Sequence, residues 1–97
     1  MQGEASMKAD QGKPDYTLVP AQVLDAIEAV REYGVKKYSD PLNWQTVSPD
    51  RYWKAILRHV RAAWNDPTKV DEESGLPHLW HIACNLAFMI ALEKSDG

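Results

Sequence analysis

Cysteine is nearly absent from these 97 residues: Cys84 stands alone. That excludes an internal disulfide and any multi-cysteine metal knuckle. Placed inside an apolar run, Cys84 reads as a small core residue rather than a nucleophile. The five glycines are isolated, so no glycine-rich phosphate loop can form. A His-Glu-x-x-His zinc motif is missing as well. Positive charge is scarce, with 11 Lys and Arg against 14 Asp and Glu and a net charge of −3. A general nucleic-acid binder needs a strong cationic surplus, so that class is set aside. No apolar run reaches the roughly 18 residues that span a membrane. The opening MQGEASMKADQGK has no hydrophobic segment suited to a secretory leader, and a cytoplasmic location is expected.

What is present reads as helix. Residues 1–15 are polar and are expected to form a flexible or extended arm, followed by a single domain over 16–97. Pro20 opens a first helix over 20–34, with Val23, Ile27 and Val30 as its core stripe and Leu24 and Ala26 beside it. Gly34 is the expected stop, since helices commonly end on a left-handed glycine. Ser48-Pro49-Asp50 caps a second helix over 50–65, on which Trp53, Ile56, Leu57, Val60 and Trp64 form an apolar stripe. Pro77 opens a third over 77–93, apolar nearly all the way round and therefore expected to be buried and central. The one exception is a seam of His78, His81 and Asn85, which fall within roughly 60° on the helical wheel. Three helices with short connections give an all-α class, a small helical bundle. A core of this size is modest, so a homo-oligomer is expected.

Three groups of residues carry candidate chemistry. Asp25, Glu28 and Glu32 align on one face of the first helix, where they can hold Mg²⁺ between themselves and a substrate's phosphates. A solvated acidic face is the alternative. YGVKKYSDPLNW sets Lys36 and Lys37 beside Tyr38 and Trp44, joining phosphate-binding charge to rings on which a base can stack; core aromatics beside a solvated turn are the alternative. Arg51, Lys54, Arg58 and Arg61 form a basic ridge beside the second helix's apolar stripe, with Arg58 and Arg61 suited to bidentate anion contacts. Lys13 can reach an anion if the arm folds back. The seam either bonds to Asp71 and Glu73 of the preceding turn or meets a polar ligand. His78 and His81 can also share a metal, completed by His59, Asp66, Asp71 or Glu73.

Taken together, Lys13, the YGVKKY run at 33–38, Asn43-Trp44, Arg58-His59 and the 71–85 string D-E-E-S-G-L-P-H-x-x-H-x-x-x-N resemble a phage-associated family. That family is the dATP/dGTP diphosphohydrolase N-terminal domain, and the resemblance runs from about Lys8 to Glu93. It implies an all-helical nucleotide-handling fold related to MazG-like pyrophosphohydrolases. It further implies Mg²⁺-dependent cleavage of a dNTP to dNMP and pyrophosphate, in the cytoplasm of an infected host. Glu28 and Glu32 would then be catalytic, with Asp25, Glu28 and Glu32 as metal ligands. Lys13, Lys36, Lys37, Tyr38, Trp44, Arg58, Arg61, His78, His81 and Asn85 would bind nucleotide. The four-acid pattern of those pyrophosphohydrolases is incomplete here, because no second acidic helix follows. Two further readings therefore stand: a protein that sequesters a nucleotide immune signal of the host, such as a cyclic oligonucleotide, without hydrolysis, and a structural or protein-interaction module.

Overall fold

The computed structural model describes residues 11–96. It contains three α-helices and no strand among the described residues: α1 (Ala21–Tyr38), α2 (Pro49–Ala63) and α3 (His78–Asp96). The chain is all-α. Helix α3 is central, packing against both α1 and α2. Single 3-10 turns cover Tyr16–Leu18 and Asn43–Thr46. The first of these is held by Asp15, which accepts a hydrogen bond from the Thr17 backbone N–H. Residues 1–10 of the expected arm, Lys8 included, lie outside the described residues, while residues 11–15 are exposed.

Helix α1 does not stop at Gly34. It continues one more turn to Tyr38, and Ser39 takes the left-handed cap at φ 58°. Lys36 and Lys37 occupy this last turn, where the carbonyl end of the helix dipole favours cations. Continuing the helix therefore satisfies both lysines, and a stop at Gly34 is not required. A β-carbon on Gly34 would meet nothing nearer than an Arg31 side-chain nitrogen at 3.9 Å.

The facing of α2 and α3 corrects the sequence expectation. Helix α2 turns Tyr52, Ile56, His59 and Ala63 inward, at spacings of four, three and four residues. This is the stripe one residue, or about 100°, away from the apolar one. Trp53, Leu57 and Trp64 are left exposed, Trp64 at 77%. Helix α3 is likewise not buried on every side: Cys84 is fully enclosed and His78 and His81 are buried, yet Leu79, Leu86 and Ile90 are exposed. Val23 and Leu24 of α1 are exposed too, so the buried part of that helix is Ala26 and Val30. The physical reason is the polar seam. Its imidazoles need partners, and the inward stripe of α2 supplies one where the apolar stripe has none.

Two outcomes follow. Gly34→Ala should stabilise the fold by roughly 1 kcal/mol through helix propensity alone, read as a raised denaturant midpoint; no change or a loss would mean that the backbone at this position is not helical. The exposed stripes on α2 and α3 are each several large apolar residues long, which single copies rarely leave uncovered. Light scattering at micromolar concentration should show a dimer or larger species that Leu57→Glu with Trp64→Glu dissociates; a monomeric parent chain would contradict this.

Candidate functional site

An open cleft of about 950 Å³ lies between α1, α2, the Asn43–Thr46 turn and α3. Its carbocyclic and indole rings come from four places: Tyr33 and Tyr38 at the end of α1, Trp44 on the turn, Tyr52 on α2 and Phe88 on α3. The turn is fixed from both sides. Tyr52 Oη donates to the Trp44 carbonyl at 2.6 Å, and the Trp44 ring stacks on Phe88 at 5.1 Å with planes 10° apart. Arg31 adds a brace by donating to the Pro41 carbonyl while its guanidinium sits 5.3 Å from the Phe88 ring centre. Burial pushes the Tyr52 hydroxyl up to about 12 and the Cys84 thiol up to about 11. Both stay protonated at neutral pH, and Cys84 is a core residue.

The floor is a histidine cluster. His59 Nδ1 and His78 Nδ1 are 2.8 Å apart, so one carries the proton and donates to the lone pair of the other. His81 stacks on His59 with ring centres 4.7 Å apart and planes 7° from parallel. Its Nε2 lies 2.7 Å from Ser74 Oγ and 3.8 Å from Asp71 Oδ2, and the Tyr33 ring meets it edge-on. Ser74 and Asp71 belong to a loop pinned at its neck: the His78 N–H donates to the Lys69 carbonyl and the Asp71 N–H to the Leu76 carbonyl. Gly75, at φ 75°, turns the loop, and the Ser74 N–H donates to Asp71 Oδ2 at 2.9 Å. The loop is thus a rigid arm that delivers a carboxylate to the histidines.

Electrostatics divide the cleft. Lys37 Nζ is paired with Glu73 at 2.6 Å, a contact that raises the lysine and lowers the carboxyl. Lys37 also lies over the Tyr38 ring. Arg51 and Arg58 line the cleft, are exposed, and form no ion pair among the described residues. Burial first, and then the charges of His81 and His78, lower His59; burial also lowers His81, against the pull of Asp71. For Asp71 burial acts upward, but the Ser74 hydrogen bonds and the neighbouring imidazoles prevail and hold it below the usual carboxylate range.

Of the residues singled out by sequence, Lys37, Tyr38, Trp44, Arg58, His78, His81 and Asn85 come together around this cleft. Lys13, Lys36 and Arg61 are exposed and do not line it. Asp25, Glu28 and Glu32 are exposed on α1 and also lie outside the lining. Loss of solvation and then the nearness of Glu32 raise Glu28, so these acids do sense one another. Mg²⁺ does not fit the cleft floor: it favours oxygen donors, whereas two of the three clustered ligating groups there are imidazoles. Sequence reasoning passed over Arg31, Tyr33 and Tyr52 as site residues. Tyr33 opens the YGVKKY run and could have been included on that ground; Arg31 and Tyr52 carry no local signal.

Fold and site together define a small all-helical domain whose ring-walled cleft rests on clustered imidazoles. Over residues 3–97 the sequence matches the family model described as dATP/dGTP diphosphohydrolase, N-terminal, and the chain belongs to that family. It is 33% identical over 86 residues to a dATP/dGTP diphosphohydrolase of Salmonella phage PMBT28. The match covers 89% of this chain and 29% of that relative's length. No solved structure matches. No helix among the described residues is long and apolar enough to cross a membrane.

The lowered histidines give a signed pH dependence. A group depressed on folding is neutral in the native state above its unfolded value near 6.5, and the unfolded chain takes up more protons below it. Stability should hold above about pH 6.5 and fall as pH drops below it. Thermal melts from pH 8 to pH 5 should show that fall, flattened in His59→Gln; a parent chain with a level profile would contradict the cluster's burial.

Proposed function

We propose that the cleft binds a purine deoxynucleoside triphosphate, with phosphates against Arg51 and Arg58 and the base against Tyr38 and Trp44. The observation that carries this is the meeting, in one cleft of about 950 Å³, of aromatic walls with two arginines that have no acidic partner among the described residues. Guanidinium groups bind phosphate oxygens in bidentate fashion, and ring faces stack on bases whatever their identity. Cavities of this size suit ligands of nucleotide dimensions. The purine and triphosphate come from the name of the phage relative, of which this chain spans less than a third. His78 and Asn85 add hydrogen-bonding capacity on the same wall.

Hydrolysis is the finer step of the proposal. Water would attack the α-phosphorus and release pyrophosphate, leaving the nucleoside monophosphate. Retention of an intact nucleotide is the second reading, and one observation favours it: Glu28 and Glu32, the acids that turnover would employ, lie outside the cleft lining of a single copy. A cyclic oligonucleotide would then be an equally suitable occupant.

Calorimetry against dATP, dGTP and a set of cyclic oligonucleotides, followed by product analysis, separates these readings. The expected result is binding of at least one of them, weakened about tenfold or more in Arg58→Ala, the scale of a lost charge-assisted hydrogen bond. Monophosphate and pyrophosphate that disappear in Glu28→Gln or Glu32→Gln would establish the enzyme; recovery of intact ligand would establish retention. No binding across the set would overturn both.

A further inference from the structure

His59 lies on α2, His78 in the first turn of α3 and Asp71 in the pinned loop between those helices. The fold brings these three segments together so closely that one ligating atom from each lies within 4.8 Å of the others. All three residues border the cleft. We propose that His59, His78 and Asp71 form a binding site for a single divalent transition-metal ion of the zinc type, with the remaining coordination open to the cleft.

The donor set has the right chemistry. Two imidazoles and one carboxylate suit a borderline ion such as Zn²⁺ or Co²⁺, and three protein ligands with an open position are the pattern of a reactive rather than a sealed structural site. The approach of the two rings is informative as well. Like nitrogen faces like nitrogen at 2.8 Å, and a shared proton uses one lone pair only. An ion placed between them uses both. Metal–nitrogen bonds of about 2.0–2.1 Å in tetrahedral geometry put two ligand nitrogens about 3.3 Å apart. The rings need open by only about half an ångström to reach that, a side-chain adjustment.

The surroundings supply what such a site requires beyond its ligands. Ligating carboxylates are usually held by a hydrogen bond, and Asp71 receives one from the Ser74 N–H. His81 is not a ligand in this arrangement, since its Nε2 is engaged with Ser74 Oγ. It stacks on His59 and fixes the orientation of that ring. Hence the loop 69–78, the stacking and the seam of α3 converge on one point. An ion there would present a Lewis acid to whatever anion enters beside Arg58.

The proposal goes beyond nucleotide binding and is tested without nucleotide. The full chain, stripped with a chelator, is titrated with Co²⁺ and then with Zn²⁺ in excess Mg²⁺. The expected result is one equivalent of Co²⁺ taken up, with the intense visible bands of a four-coordinate ion, bleached by Zn²⁺ and unaffected by Mg²⁺. His59→Gln and Asp71→Asn, each verified as folded by circular dichroism, should weaken uptake at least tenfold, while the exposed neighbour Glu72→Gln should not. His78→Ala, verified as folded in the same way, should weaken uptake at least tenfold as well. No uptake by the parent chain, or uptake unchanged in folded His59→Gln and Asp71→Asn, would overturn the site. Loss of metal binding with dATP affinity retained would leave the nucleotide reading intact, so the two failures are distinguishable.

Discussion

The fold depends on finding partners for two buried histidines carried by its most apolar helix. A buried imidazole or amide left unpaired costs on the order of 1–3 kcal/mol. Helix α3 meets that demand by facing its seam inward: His78 toward His59, and His81 toward Ser74 and Asp71. Everything else about the packing follows. Helix α2 must present His59, which brings Tyr52, Ile56 and Ala63 with it and leaves Trp53, Leu57 and Trp64 outside. The loop 69–78 must be rigid, because it holds both the serine and the carboxylate.

The same constraint explains why a cleft exists at all. Polar side chains meeting at the centre of a three-helix arrangement do not interdigitate as aliphatic ones do. The space above them is instead walled by Trp44, which is clamped by Phe88 and Tyr52, and by the tyrosines at the end of α1. Clamped rings are preorganised for stacking because little side-chain freedom remains to be lost on binding. Arg51 and Arg58 reach the rim from the flank of α2 that the rotation brings round.

The helices themselves were legible in the sequence. Pro20, Pro49 and Pro77 mark their starts, and the all-α class follows from periodicity. Helix α1 ends four residues past Gly34 because the two lysines that follow suit a helix C-terminus and the glycine does not enforce a stop. The facing of the helices was not legible. Local periodicity tells which residues share a face of α2, not which face meets α3, and the usual preference for the apolar stripe yields here to the needs of two histidines. For the site, the aromatic and basic clusters and the seam were visible as separate signals. Their convergence was not, since His59, Asp71 and His78 are joined only by tertiary structure. Asp25, Glu28 and Glu32 stood out in one dimension because i, i+3 and i+7 share a face, yet that face looks away from the cleft lining.

The orientation of α3 is therefore the point on which the account rests, and nuclear Overhauser contacts in the isotope-labelled protein test it most directly. The inward seam predicts cross-peaks between the His59 ring protons and those of both His78 and His81, and between Trp44 and Phe88. Cross-peaks from the Leu79, Leu86 and Ile90 methyl groups to Tyr52 and Ile56 of the same chain, with no contact among the histidines, would show the apolar face turned inward and contradict it.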